Sequence, residues 1–306
     1  MRVAVLFPVW KRQHLAEISA AGLHRIAGEV AGAGITFTVA VVGSEDWAKA
    51  MAKRYGWDYV KASNSILGAK FDKGARYLVD TYGDSCTHFM EWGADNIMST
   101  QFTELLKTLP DRPGIHCITS NGFYMLKEGS DEVRLFSRGA GSNIGRITLM
   151  SVVQKIRRTA SGHIYDHTAK RGLDKSFREK VQAVTGRRPK LHQIAAPYLI
   201  DVKGPGSLNG WAQFAAKPDS FPLVEIEGDF PELKQIRQTW QRPENFEATP
   251  STSTSAPKTE PTPLEATQTE STKRGRSSQA RRAGRSAGSS KQSTRRAKTA
   301  TGRGKS

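Results

Sequence analysis

Apolar residues fall into short continuous runs that alternate with longer periodic stretches. Val3–Val9 is apolar and rich in β-branched residues, with Pro8 at its end, and reads as a buried strand. From His14 to Ala31 the apolar positions Leu15, Ile18, Leu23, Ile26 and Ala27 recur at helical spacing, and Gly32 and Gly34 end the helix. Ile35–Val42 predicts a second strand, Asp46–Tyr55 a helix, Tyr59–Ala62 a short strand and Leu67–Asp80 an amphipathic helix. His88–Trp92 predicts a fourth strand, broken at Gly93-Ala94-Asp95-Asn96, and Gln101–Leu109 a helix. Gly114–Ser120 and Gly122–Lys127 read as two strands joined by a hairpin turn at Asn121-Gly122. Strands alternating with helices imply an α/β domain with a mixed, mostly parallel sheet and helices on both faces.

Beyond Arg134 the pattern loosens. A glycine-rich loop (Gly139, Gly141, Gly145) precedes a helix near Thr148–Thr159, and the segment from His163 to Asp174 leads into a helix from Lys175 to Thr185. Tyr198–Val202 is a late strand and Pro231–Trp240 a closing helix. The domain is therefore expected over 1–240, followed by a Ser/Thr/Pro-rich linker over 241–270 and a tail over 271–306. After Phe246 no aromatic residue occurs and Leu264 is the one large aliphatic, so the tail is expected to be disordered.

Charge divides along the same boundaries. The chain carries +17; the tail has twelve Lys/Arg and no acid, the linker two basic against five acidic residues, and 1–240 keeps +8. A histone-tail-like polyelectrolyte binds phosphate backbone through counterion release without reading sequence, which points to double-stranded DNA as a partner. Two cysteines, Cys86 and Cys117, both in apolar runs, read as reduced core thiols rather than a disulfide framework. No apolar stretch approaches the roughly 20 residues of a membrane span, and the N-terminal run is too short for a secretory signal, so no membrane association and a cytoplasmic location are expected.

No P-loop, no glycine fingerprint opening a helix, no CxxC and no HExxH occurs. The informative residues instead follow successive strands: Phe7-Pro8-Val9-Trp10-Lys11-Arg12, Val42-Gly43-Ser44-Glu45, Asn64 to Lys70, and Gly93-Ala94-Asp95-Asn96. Ligands of open α/β sheets bind beyond the carboxyl ends of the strands, where all four segments should lie. In this order and spacing the chain resembles the GT-A-fold nucleotide-sugar glycosyltransferases of the family-2-like group. These begin with a V-x-P-x-Y/W-x-R segment and carry an acidic D-x-D-D motif where Gly93-Ala94-Asp95-Asn96 stands. Gly93 and Asn96 replace two of the acids, and Asp95 remains. The resemblance is nearer to a phage subgroup that glycosylates hypermodified DNA bases such as 5-hydroxymethylpyrimidines. Gly145-Arg146, Arg171-Gly172-Leu173-Asp174 and Leu199 to Lys203 followed by Asn209 also look like that subgroup.

The resemblance implies a nucleotide-sugar donor, a UDP-sugar, and a Mn²⁺ or Mg²⁺ ion held by Asp95 to neutralise charge on the leaving diphosphate. It implies a nucleotide site lined by Pro8, Trp10, Arg12, Glu45, Asn64, Lys70, Ala94 and Asp95. Trp10 would stack on the base, Arg12 and Lys70 would meet phosphates, and Glu45 the ribose or base. Asp174, at the start of a helix, would be the general base of an inverting transfer, although an Asp there also serves as an ordinary helix cap. Arg146 and Arg171 would flank the acceptor cleft and hold phosphates, and a third metal ligand would come from His163, His167 or His192. Two other readings stay open: a glycan, lipid or protein acceptor, and a non-catalytic DNA-binding protein on a degenerate scaffold. Deleting 271–306 is expected to weaken duplex-DNA binding and flatten its salt dependence, by about 0.9 in log–log slope for each phosphate that the tail had neutralised. An unchanged slope in a salt titration would show that the tail does not touch DNA.

Overall fold

The computed structural model describes residues 1–109, 116–120, 122–137, 146–187, 190–194, 198–204 and 220–240. The predicted linker and tail, the glycine-rich loop, Asn121 and Asn209 lie outside the described residues. The elements run β1 (Arg2–Pro8), α1 (Gln13–Ala31), β2 (Thr36–Gly43), α2 (Asp46–Tyr55), β3 (Asp58–Lys61), α3 (Leu67–Tyr82), β4 (His88–Glu91), β5 (Asn96–Met98) and α4 (Thr100–Thr108). They continue with β6 (His116–Ser120), β7 (Gly122–Lys127), β8 (Glu132–Ser137), β9 (Ile147–Leu149), α5 (Met150–Arg157), α6 (Leu173–Thr185), β10 (Lys190–Ile194), β11 (Leu199–Lys203), β12 (Ser220–Pro222) and α7 (Leu233–Trp240). Among these helices none is long and apolar enough to cross a membrane.

Seven strands form the first sheet in the order β10-β6-β9-β4-β1-β2-β3. All pairings are parallel except those of β9 with β4 and β6. The chain moves outward from β1 through β2 to β3 and then returns to the other side of β1 as β4. The sheet thus has a topological switch point between the carboxyl ends of β1 and β4, where a crevice opens in folds of this class. Both faces are covered. Val3, Val5, Phe7 and Val9 pack with α1, α2 and α4, whereas Ala4 and Leu6 pack with α3, α5 and α6. Burial on both faces explains why β1 is an apolar run without alternation.

A second, five-stranded sheet, β12-β8-β7-β11-β5, was not anticipated from sequence. Leu15 and Ile18 of α1 pack against its Ile97, Leu126, Val133, Ile200 and Val202, with Leu233 and Ile236 of α7 closing the cluster. Helix α1 is therefore shared between the two sheets, and its N-terminus lies where they meet. The expected hairpin at Asn121-Gly122 is corrected: β6 belongs to the first sheet and β7 to the second, so the chain crosses between sheets there. The true hairpin joins β7 to β8, where Gly129 takes φ 80°. Likewise the helix expected from Thr148 begins at Met150, because Ile147–Leu149 is taken into the first sheet as β9 against β4.

Gly74 sets the distance of α3 from the sheet. A Cβ there would lie 2.4 Å from Val42 Cγ2 and 2.5 Å from Leu6 Cδ1. Gly74→Ala is expected to destabilise the domain by about 1–3 kcal/mol through overpacking. Gly28→Ala, with nothing within 4 Å of its Cβ on α1, should stabilise it by about 0.4–1 kcal/mol. Urea denaturation midpoints that moved the same way for both variants would contradict this packing account.

Candidate functional site

The site is assembled at the carboxyl edge of β1 and β4. After β1 the chain turns through Lys11 (φ 52°) and Arg12 (φ 38°), two consecutive non-glycine residues in the left-handed region. Such conformations are unfavourable and persist when surrounding contacts hold them. Arg12 supplies those contacts: Nη2 donates to Asp95 Oδ2 at 2.7 Å and Nη1 to Val202 O at 3.2 Å, while its own carbonyl starts α1 by accepting from Leu15 N at 3.0 Å. The turn that presents Asp95 is fixed from below. Ser19 Oγ lies 2.9 Å from Gly93 O and 2.8 Å from Asn96 O, and accepts the Trp92 indole N–H at 2.8 Å. A Cβ on Gly93 would lie 2.0 Å from Asn96 Oδ1, so a side chain there would have to turn the Asn96 amide away. Trp10 is the exposed large hydrophobic residue among those described, at 43 %, with the Lys11 ammonium 4.6 Å from its ring centroid.

A second group lies beyond β2 and β3. Lys70, only 2 % exposed in the first turn of α3, donates to Val9 O and to Asn64 Oδ1, the latter at 2.5 Å. Asn64 Nδ2 lies 2.7 Å from Ser44 Oγ and 2.8 Å from Glu45 Oε1, and Glu45 Oε2 accepts from Ser44 N at 3.0 Å. Beside this network is a cavity of about 610 Å³ lined by Ser44, Lys61, Ser63, Asn64, Ser65 and Lys73. Its hydroxyls and cations suit a polar, anionic ligand. Val9, which anchors Lys70, and Arg12 both lie on the β1–α1 connection, so the two groups are neighbours along one short stretch of chain.

A third group, centred on a residue that the sequence pattern did not single out, faces the α3–α6 side. Glu91, the last residue of β4, accepts hydrogen bonds from Arg146 and Tyr165 through Oε1. Burial pushes its carboxyl up, with the charge of Asp174 adding and Arg146 opposing, and burial likewise raises the Tyr165 hydroxyl. The guanidinium of Arg146 is 2 % exposed, lies 4.3 Å from the Phe177 ring and comes within 3.7 Å of Asp174 Oδ1. That corrects the role expected for Arg146: it is committed to Glu91 and Asp174 inside the protein and is not open to nucleic-acid phosphates. Asp174 stands in the first turn of α6 behind Gly172 (φ 72°), 58 % exposed, and Arg171 is exposed beside it. An acidic residue ending an apolar strand was the available signal for Glu91, and the run His88–Trp92 obscured it.

Pro8 is half-buried at the end of β1, and Ala94 at the turn. Asp201 pairs with Lys203 at 2.5 Å; Glu128 Oε1 lies 2.8 Å from His14 Nε2, and its Oε2 lies 4.0 Å from Arg12 Nη1. Asp201 is pushed up to about 6, by burial first and by Asp95 as well, against the pull of Lys203; its Oδ1 is buried without a hydrogen-bond partner. No group of three or more His, Cys, Asp or Glu side chains able to hold a metal occurs among the described residues. His163 Nδ1 lies 2.7 Å from the acceptor Asp72 Oδ2 and its ring stacks on His167 with ring centroids 3.8 Å apart, while His192 lies in β10. The expected third ligand is thus not assembled with Asp95 among the described residues, and a Mn²⁺ or Mg²⁺ site there does not fit the donor set.

Burial lowers Lys70 to about 8 from an ordinary 10.5. The unfolded chain holds this proton more tightly, so stability rises with pH from about 8 to 10.5 and the contribution is absent below 8. Lys70→Met should remove that rise, worth about 3 kcal/mol at full extent. Urea denaturation at about pH 7 and pH 10.5 would refute this if both proteins changed equally with pH.

No family model matches the chain, and no curated protein matches it. It is similar in fold to the structure titled S. aureus TarS 1-349, at 11 % identity and TM-score 0.46, over 66 % of this chain and 60 % of that one. It is also similar to a CMP:2-keto-3-deoxy-manno-octonic acid synthetase complexed with CTP, at 11 % identity and TM-score 0.39, over 64 % and 91 % of the two chains. A further likeness is to a glycosyltransferase involved in glycosylation of the major capsid of PBCV-1, at 9 % identity and TM-score 0.37, over 70 % and 96 %. The chain spans about three fifths of the TarS structure, and likenesses at these values assign it no activity.

Proposed function

We propose that this chain is a nucleotide-sugar glycosyltransferase that moves a sugar from a UDP-sugar to a hydroxymethylated base in DNA. The carrying observation is the convergence of Arg12, Glu45, Asn64, Lys70 and Asp95. These residues follow four separate strands or lie on the helix after one, and they form two hydrogen-bonded groups at one sheet edge. Such an edge, lined by two cations, hydroxyls and an exposed Trp, suits a nucleoside diphosphate. Pro8 and Trp10 take the base, Glu45 and Asn64 the ribose, and Arg12 the diphosphate, with the buried Lys70 holding Asn64 in place and Ala94 giving room at the turn. The twelve-cation tail supports DNA as the acceptor, because a tether raises the local concentration of enzyme on its polymer. Arg171, exposed before α6, suits an acceptor phosphate.

In the reaction the bond from the anomeric carbon to the diphosphate oxygen breaks, and the oxygen of the hydroxymethyl group attacks that carbon from the opposite side. Its proton passes to Asp174, an exposed carboxylate held beside Arg146. Incubating the protein with UDP-sugars and DNA containing 5-hydroxymethylpyrimidines should yield nucleosides heavier by one sugar, detected by mass spectrometry. Asp174→Asn should slow transfer by about 10²–10⁴-fold. Transfer to a protein or glycan and none to DNA would remove the acceptor claim. No transfer and no donor hydrolysis would remove the enzymatic reading altogether.

A further inference from the structure

We infer that the turn at Asp95 does not bind a divalent cation, and that Asp95 instead positions Arg12 as the fixed positive charge for the leaving diphosphate. The inference rests on the nucleotide-sugar reading for its ligand but not for its ion claim. Position 93 carries no acid, and a side chain there would have to displace the Asn96 amide, whose residue is 6 % exposed. One carboxylate is left at the turn, and its Oδ2 already accepts from Arg12 at 2.7 Å. Of the neighbouring acids, Asp201 pairs with Lys203 and Glu128 Oε2 lies 4.0 Å from the same Arg12 guanidinium. Mg²⁺ and Mn²⁺ at phosphate sites are held by one or two protein carboxylates that are free to face the ion, together with the phosphates, and the one carboxylate of this turn is already in an ion pair. Here such an ion would take Asp95 away from a guanidinium and then sit beside it as a like charge.

The backbone supports the same assignment. Lys11 and Arg12 both adopt the left-handed region, an arrangement that places the guanidinium between Asp95 Oδ2 and Val202 O. A residue held at two points keeps its orientation when the ligand arrives, which is what stabilising a developing anion requires. Lys70, hydrogen-bonded to Val9 O on the same connection, supplies a second cation at this edge. Asp95 is thus a positioning residue acting through Arg12.

Two titrations of the full chain test this. Mn²⁺ alone, followed by the electron paramagnetic resonance of the free ion, should show no site that is lost in Asp95→Asn. UDP affinity measured by calorimetry should agree within about twofold between Mg²⁺ and EDTA buffers. It should fall about tenfold in Asp95→Asn and also in Arg12→Lys, which keeps the charge but not the two-point hold. Circular dichroism of both variants checks that they fold, and Arg12→Lys carries the test if Asp95→Asn does not. A Mn²⁺ site abolished by Asp95→Asn, or a gain in UDP affinity of more than about tenfold with Mg²⁺, overturns the inference. Absence of UDP binding in either buffer removes the nucleotide reading and the role given to Arg12 with it, whereas the Mn²⁺ titration decides the ion claim without UDP.

Discussion

The ion pair between Arg12 and Asp95 sits at the one place where the two sheets, the shared helix and the switch point coincide. Helix α1 packs on both sheets, so its first residue cannot move without disturbing both clusters. The chain leaves the first sheet after β4 and enters the second at β5, and Asp95 lies on that crossing. Val202, which also receives Arg12, belongs to the strand paired with β5. The guanidinium therefore ties β1, the β4–β5 crossing and β11 together, and two left-handed residues are tolerated because those three anchors hold them.

Around this tie the protein buries charge on the α3–α6 face of the first sheet. Lys70 of α3 and the Glu91–Arg146 pair are each removed from water and each answered by hydrogen bonds. Burying ions is unfavourable unless they are paired, and pairs of this kind are weak contributors to stability. They gather at the carboxyl edge of β1 to β4. Asp174 is the exposed end of one of these chains, with Arg146 between it and Glu91.

Much of the fold was legible in the chain because burial on both faces writes an unmistakable pattern. β1 to β4 and α1 to α3 lie within two residues of their predicted bounds. The second sheet was not legible. Its strands are short, β5 and β12 having three residues each, and three residues carry no period. The hairpin predicted at Asn121-Gly122 failed because a local turn signal does not say whether the flanking strands pair with each other or with strands far away in sequence. The candidate site followed the same division. Glu45, Asn64, Lys70, Arg12 and Asp95 stood out by following strands, whereas Glu91 ended one and looked like part of its core.

By itself the sequence determined the alternating α/β order, the residues that end up at the carboxyl edge, and the concentration of positive charge in 271–306. These follow from local periodicity and composition, which depend on neighbours along the chain. Only the tertiary structure decided which charges face one another. It gave Asp95 to Arg12 and enclosed Arg146 between Glu91 and Asp174. Such pairings join residues 55 and 83 positions apart through a strand order that no local pattern encodes. An arginine reads the same in sequence whether it meets a phosphate, a metal's ligand or a buried glutamate, and packing alone chooses among them.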